Sequence, residues 1–203
     1  MDRTTFDMAE MASTDRYKLL TGLIIPRPIG WVGTVDEQGA YNLAPYSYFN
    51  VVAATPPTVV FSSGRPQGRA KDSLANVIAT GEFTLSIVDE DLVDAMHQTA
   101  ERYPPEVNEF DEVGLSARPG DTVAAPFVAE AKAALECRVS RIVDLGDPAT
   151  ASVVFGDVLL VHVAGEVLDG TRIDHSLLRA VGRIAGTTYV TTAESLFDVE
   201  EEE

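Results

Sequence analysis

The sequence predicts a mainly β fold, an antiparallel barrel with peripheral helices. Short β-branched and aromatic runs follow one another through turn residues, a few short helical patterns interrupt them, and no regular βαβ alternation appears. At 203 residues and 45% hydrophobic content the chain can bury one sizeable core but is short for two, so residues 1–203 are expected to form a single domain. The two ends, 1–13 and 196–203, lack periodicity and are expected to be flexible.

Taken in order, "TDRYKLLTG" offers Thr14 or Asp15 as a helix cap and Gly22 as a stop. "IGWVGTV" alternates as a strand, "DEQG" turns the chain, and "AYNLAPYSYFNVV" returns as a strand interrupted at Pro45. A proline cannot donate to a ladder, so this strand must lie at an edge or break there. "PTVVFSS" reads as a further strand, and "GRPQGRAKDSLANVIATG" as a loop entering a helix that Asp72 caps and Gly81 ends. "EFTLSIV" is a strand, and "DEDLVDAMHQTA" has acidic residues in its first turn and apolar residues at helical spacing. The Pro- and charge-rich stretch from "ERYPPEVNEF" to "AAPFVAEAK" reads as a surface excursion. Two long strands, "AALECRVSRIVDL" and "ASVVFGDVLLVHVAGEVL", flank the turn "GDPAT"; a capped helix, "DHSLLRAVGRI", and a short "GTTYVTT" close the chain.

Composition removes several function classes. With 32 acidic and 15 basic residues the formal net charge is −17, which repels nucleic acid and anionic membranes. No run approaches the roughly 18 apolar residues that cross a bilayer, and "MDRTTFDMAE" lacks the basic and apolar regions of a secretion signal, so a cytoplasmic location is expected. The single Cys137 rules out an internal disulfide and a multi-cysteine zinc site. No dinucleotide or phosphate-loop glycine motif and no G-x-S-x-G is present. His97, His162 and His175 have no metal-ligand spacing, so no metal site is expected; His162, in "VLLVHVAGEV", is either a hydrogen-bonded core histidine or a cofactor contact.

Two stretches could carry a ligand. "FSSGRPQGRAKDS" gathers Ser62, Ser63, Arg65, Arg69, Lys71 and Ser73 around a helix start, where backbone N–H groups, the helix dipole and cations favour an anion. A solvated loop before a capped helix fits equally well. "PRPIGWVGTVDEQGAYNLAPYSYFNV" combines Gly30, Gly33, Ala44 and Ser47 with a ladder broken at Pro45 and the aromatics Tyr46, Tyr48 and Phe49. That suits a planar heteroaromatic ligand with polar edges, and it also suits a barrel core or subunit interface.

"IIPRPIGWVGTVDEQGAYNLAPYSYFNVVAATPPTVVFSS", "KDSLANVIATGEFTLSIV", "EAKAALECRV" and "LRAVGRIAGTTY" together resemble the flavin reductase-like family of FMN-binding split-barrel proteins, from about Tyr17 to Tyr189. The resemblance implies a six-stranded antiparallel Greek-key split β-barrel, a homodimer, and FMN near the dimer interface. On this chain the N-x-A-P-Y-S match, Asn42, Ala44, Pro45, Tyr46 and Ser47, is implied to line the flavin ring and ribityl chain. Ser62, Ser63, Arg69 and the K-D-S match, Lys71, Asp72 and Ser73, are implied to receive the phosphate. Arg27 of P-R-P, and Arg183 and Tyr189 of R-x-x-G-x-x-Y, are implied to be cofactor-side or interface groups, while His162 matches no motif.

The implied activity is that of an oxidoreductase passing hydride from NAD(P)H through FMN to free flavin, a partner monooxygenase or another acceptor. The alternative is a non-catalytic FMN-binding electron carrier. Hydride transfer through a flavin requires no catalytic acid or base, in keeping with a sequence that shows no such constellation. No catalytic side chain is therefore singled out.

The acidic residues are spread along the chain as well as gathered in "DVEEEE", and the hypothesis that follows is adaptation to a salt-rich cytoplasm, where screening relieves self-repulsion. The melting temperature is then expected to rise between low and molar NaCl in a calorimetric scan. A flat or falling melting temperature rejects salt adaptation.

Overall fold

The computed structural model describes residues 1–104, 106–193, 196, 197 and 199. Helix α1 (Ser13–Leu23) and the two-residue β1 (Arg27–Pro28) precede the main sheet. That sheet comprises β2 (Gly30–Val35), β3 (Tyr41–Tyr46), β4 (Phe49–Ala54), β5 (Pro57–Gly64), β6 (Glu82–Ile87), β9 (Ala133–Leu145) and β10 (Ala151–Val163). Helix α2 (Asp72–Thr80) joins β5 to β6; α3 (Val93–Gln98), α4 (Glu109–Glu112) and the small pair β7 (Ala117–Pro119) and β8 (Pro126–Val128) lie between β6 and β9. The C-terminal part holds β11 (Leu168–Asp169), β12 (Arg172–Ile173), α5 (His175–Leu178), β13 (Val181–Arg183) and β14 (Tyr189–Thr191).

The strand order is β3-β2-β6-β9-β10-β5-β4, with every pairing antiparallel. Strands β3 and β4 occupy opposite edges, yet only Ser47 and Tyr48 separate them in the chain. Two residues reach roughly 10 Å at most, so the sheet must roll until its edges meet at that corner. Tyr46 of β3 and Phe61 of β5 touch across the gap, ring centroids 4.9 Å apart. Among the described residues no ladder joins β3 to β4, so the roll stays split there. The expected mainly β character holds, but the sheet has seven strands where six were expected, and among the described residues no ladder closes it.

One core fills the inside of the roll: Val32, Tyr46, Val59, Phe61, Phe83, Leu85, Cys137 and Val154, with Leu74 and Val77 of α2. A second core packs the opposite side of β2, where Trp31 meets Met96 of α3 and Phe110 of α4. All six residues of β2 are buried because it lies between these cores. Gly156 carries no side chain because a Cβ there would run into the Phe83 ring.

Several local expectations change. Helix α1 has Ala12 at its N-cap and runs through Gly22, so neither Thr14 nor Asp15 caps it. Asp72 is the first residue of α2 and Lys71 holds the cap position without a side-chain cap bond; Gly81 ends the helix at φ +72°, as its freedom from Cβ allows. Pro45 sits within edge strand β3, and the interruption falls later, at Ser47 and Tyr48. The expected excursion instead contributes buried Glu109, Phe110, Phe127 and Val128, because its few apolar residues cap the outer face of β2 and β6. Helix α5 is only four residues long, held by Asp174, whose carboxylate accepts from the N–H groups of Ser176 and Leu177. Its expected continuation, Val181–Arg183, is a strand because it pairs with Arg27–Pro28. No helix or strand precedes Ser13; within the expected flexible end at 196–203, positions 198 and 200–203 lie outside the described residues.

Phe61 is fully buried between the Tyr46 and Phe83 rings. Phe61→Ala is expected to cost about 3–5 kcal/mol in urea unfolding; a loss below about 1 kcal/mol would mean that the roll is not held by this contact.

Candidate functional site

The corner where the roll splits opens into two cavities that share Ser47 and Tyr48. The first, about 440 Å³, lies under the C-terminal end of α1, walled by Leu20, Thr21 and Ile24. Pro26, Arg27 and Pro28 form a second side, and Phe49, Asn50 and Val60 a third. Its lining is predominantly apolar. The second, about 160 Å³, is bounded by Tyr17, Pro45, Tyr46, Ser62, Gly64 and Lys71. Neither cavity is lined by an aspartate or glutamate, although the whole chain carries 32 of them.

Arg27 is buried to 6% exposure, and its Nη1 donates to the carbonyls of Thr21 at 2.5 Å and Ile24 at 2.8 Å. These carbonyls belong to the end of α1, where helices leave acceptors unpaired. Its Nε has no partner. Tyr48, at the corner, has its phenol pKa pushed up, first by burial and next by Tyr17, while the nearby Arg27 charge pulls it down. In the second cavity Lys71 is exposed, enters no ion pair among the described residues, and lies 6.0 Å from the Tyr46 ring centroid. A free ammonium beside Ser47 and Ser62, next to an apolar cavity with a buried guanidinium in its wall, is a set that fits FMN: a flat ring with a phosphate.

The remaining expected site residues fall into three groups. Pro45, Ser47, Ser62 and Lys71 line the second cavity, with Tyr46 as its floor; the Tyr46 hydroxyl lies 3.4 Å from Ser63 Oγ, and burial raises its pKa. Asn42, Ser63 and Ser73 lie buried behind that surface, with Ala44 packed on the inner core. Ser73 Oγ donates to Asn42 Oδ1 at 2.9 Å, and Asn42 Nδ2 donates to Glu109 Oε1 at 2.7 Å, pinning the start of α2 to β3. Arg69 and Asp72 are exposed and line neither cavity. Arg65 is engaged elsewhere, donating to Ser152 Oγ at 2.7 Å and pairing with Asp144 at 3.1 Å.

Arg183 and Tyr189 also line neither cavity. Arg183 is the cross-strand partner of Arg27, donates to the Gly186 carbonyl at 2.7 Å, and stacks over Tyr189, whose hydroxyl meets His97 Nδ1 at 2.9 Å. They build the strand pair that holds Arg27. Sequence reading missed Leu20, Thr21, Ile24 and Asn50; the only hint was "KLLTGLII", a helix end more apolar than a solvent-facing helix needs.

His162 lies far from this region in the chain's pairing. Its Nε2 donates to Glu136 Oε1 at 2.6 Å and its ring stacks on Phe127 at 4.8 Å. Asp121, Glu136 and His162 come within metal-ligand reach of one another, but the Glu136 oxygens already accept from the N–H groups of Asp121, Thr122 and Val123 and from the Thr122 hydroxyl. The Cys137 thiol is buried, and burial, then Glu136 and Asp157, push its pKa up to about 12, which makes it inert.

A rolled antiparallel sheet split at one corner, with paired apolar and cationic cavities at the split, defines a cofactor-binding scaffold of the split-barrel class. The flavin reductase like domain family model matches residues 22–188, and the chain belongs to this family. An uncharacterized protein of Aquifex aeolicus (strain VF5) is 40% identical over 187 residues, 91% of this chain and 94% of the relative. The crystal structure of nitrilotriacetate monooxygenase component B from Bacillus cereus superposes with a TM-score of 0.93 at 36% identity, covering 99% of both chains. The 2-nitrobenzoate 2-nitroreductase NbaA of Pseudomonas fluorescens gives 0.88 at 28% identity, covering 98% of this chain and 96% of its own. At the coarse level, these relationships support a flavin oxidoreductase.

Burial pushes the Glu136 carboxyl pKa up, but the bonds from Thr122, Asp121 and His162 outweigh it and bring it down to about 2. A carboxylate lowered in the folded state stabilises the fold above its unfolded pKa and loses that contribution as pH falls through the folded value. Stability is therefore expected to fall between about pH 4.5 and about pH 2, by roughly 3 kcal/mol from this group. Glu136→Gln is expected to lose most of this at neutral pH and to flatten that acid limb in urea titrations at several pH values; a parallel acid limb in the variant would remove the assignment.

Proposed function

We propose that the chain is an FMN-dependent oxidoreductase of the flavin reductase type, passing hydride from NADH or NADPH through the flavin to free flavin or another acceptor. The observation that carries this reading is the pair of joined cavities: one apolar and slot-like, the other polar with an unpaired lysine, both free of carboxylates. FMN, when bound, supplies the two-electron chemistry. The first cavity would take the flavin ring, with Arg27 on one wall and Ser47, Tyr48 and Phe49 on another. The second would take the phosphate end, with Lys71 and Ser62 as donors and Pro45 and Tyr46 beside it. Asn42, Ala44, Ser63 and Ser73 serve this cradle by fixing β3, β5 and α2 against each other, Asp72 begins α2 beside it, Arg69 adds positive charge outside it, and Arg183 and Tyr189 hold β1 in place.

The chain's own part is to bind, orient and exclude water. Phe49 and Val60 offer an apolar floor, and α1 covers the first cavity from above. The component B named in the Bacillus cereus structure supports a partner monooxygenase as one destination for the electrons. A homodimer fits the exposed apolar residues Leu23, Ile24, Val51, Val52 and Val161, which a second copy would cover. We place the protein in the cytoplasm, as one domain, without nucleic-acid or membrane partners; no described helix is long and apolar enough to cross a membrane.

The test is the visible spectrum of the FMN-loaded protein under anaerobic conditions, before and after NADH and then NADPH. Oxidised flavin bands, near roughly 375 and 450 nm for any such cofactor, should bleach with at least one nucleotide and return with an acceptor. Bleaching by dithionite alone would favour the electron-carrier reading, and failure to bind FMN would reject both. Lys71→Ala is expected to weaken FMN binding about tenfold or more, as loss of one charge-assisted hydrogen bond requires, with an unchanged melting temperature. Equal affinity in fluorescence titration would remove Lys71 from the site.

A further inference from the structure

We infer that Arg27 is the group that compensates the negative charge arriving in the first cavity, and that it thereby raises the reduction potential of the flavin held there. This rests on the FMN reading above. Among the described residues Arg27 is the only arginine or lysine in the buried set, and none of the ion pairs of the chain includes it. A buried cation without a counter-charge is costly, several kcal/mol in real proteins. The chain offsets only part of this cost.

Nη1 faces the carbonyls of Thr21 and Ile24, at the negative end of the α1 dipole. That dipole end amounts to about half an elementary charge, so the guanidinium remains under-compensated. Its Nε is buried and donates to nothing. Arg27 also lines the cavity formed by Leu20, Ile24, Phe49 and Val60, in which Tyr48 is the only other titratable group. Arg27 and Tyr48 line the same cavity, and Tyr48 also lines the second, so the guanidinium sits in the wall next to the corner that both share. In such apolar surroundings a cation acts strongly on any charge that appears nearby.

Hydride transfer from a dihydronicotinamide moves two electrons and one proton into the cavity and leaves the nicotinamide oxidised. The bound ring thus gains one negative charge, and a fixed cation favours the charged state over the neutral one. The competing role is mechanical: Arg27 could serve only to clamp α1 onto β1. The two roles respond differently to charge. A clamp needs hydrogen-bond donors; a potential-setting group needs the positive charge.

The experiment compares FMN-loaded parent, Arg27→Lys and Arg27→Gln by spectroelectrochemical titration against a reference dye, with the affinity for oxidised FMN measured separately. Arg27→Gln keeps an N–H donor and loses the charge; its preference for reduced over oxidised FMN is expected to fall at least tenfold, which is about 30 mV to more negative potential for a two-electron couple. Arg27→Lys is expected to keep most of the parent value. FMN bound by all three proteins at one common potential would overturn the inference and leave the clamp. The parent alone gives a second reading: its midpoint should lie positive of free FMN in the same buffer, and a more negative midpoint also overturns it. A parent that binds no FMN would instead reject the functional reading beneath it, a distinct outcome seen before any potential is measured.

Discussion

Two residues of chain join the opposite edges of a seven-stranded sheet, and most of the architecture follows from that constraint. With β3 and β4 separated only by Ser47 and Tyr48, the sheet cannot lie open; it rolls around Phe61, Phe83 and the inward side of α2. The corner cannot also carry a ladder between those edges. The Tyr48 carbonyl is instead taken by the Ser62 N–H at 2.9 Å, which ties the corner to β5. A break in the sheet, anchored on both sides by core strands, leaves room for cavities on a rigid frame. Both cavities meet there.

The buried charges divide according to what satisfies them. Glu136 is buried, and its oxygens collect bonds from the 121–123 segment and His162; Glu109 collects Asn42 Nδ2 and the Leu43 N–H. These two carboxylates fasten the segment between β6 and β9 onto the sheet, and they do so because backbone N–H groups converge on them. Arg27 is the opposite case, half satisfied by a helix end, with a buried Nε that has no partner, in the wall of a cavity. Fully satisfied buried groups hold structure. An unsatisfied one is expensive unless something else completes it.

How much of this was legible follows the range of the interactions. The strands around Trp31, Phe61 and Phe83 show in short β-branched and aromatic runs between turn residues, and Pro45 announces an edge strand because a missing N–H is a local property. The split is legible only through the family resemblance and not in any local pattern, since the position of β4 opposite β3 depends on pairings far apart in the chain. Glu109 was read as part of a solvated stretch because its partners, Asn42 and Leu43, lie more than sixty residues away. For the same reason Arg65 looked like one of three anion-binding cations until Asp144 and Ser152 claimed it. Lys71 stands out in the sequence as a cation near a helix start, but its freedom from ion pairs among the described residues is a fact of packing. Of "NLAPYS" and "KDS", Pro45, Tyr46, Ser47 and Lys71 line a cavity while Asn42 and Ser73 are buried, a division visible only in three dimensions.

The make-up of the two cavities sets what their walls can offer. Arg27 and Tyr48 are the titratable side chains of the first cavity, and burial pushes the Tyr48 phenol above its ordinary value. Walls of this kind offer shape, an apolar medium and a positive charge. For a chain with net charge −17, keeping every carboxylate off both cavity walls has a direct physical effect. It preserves a local region where an anion is welcome on a surface that otherwise repels it.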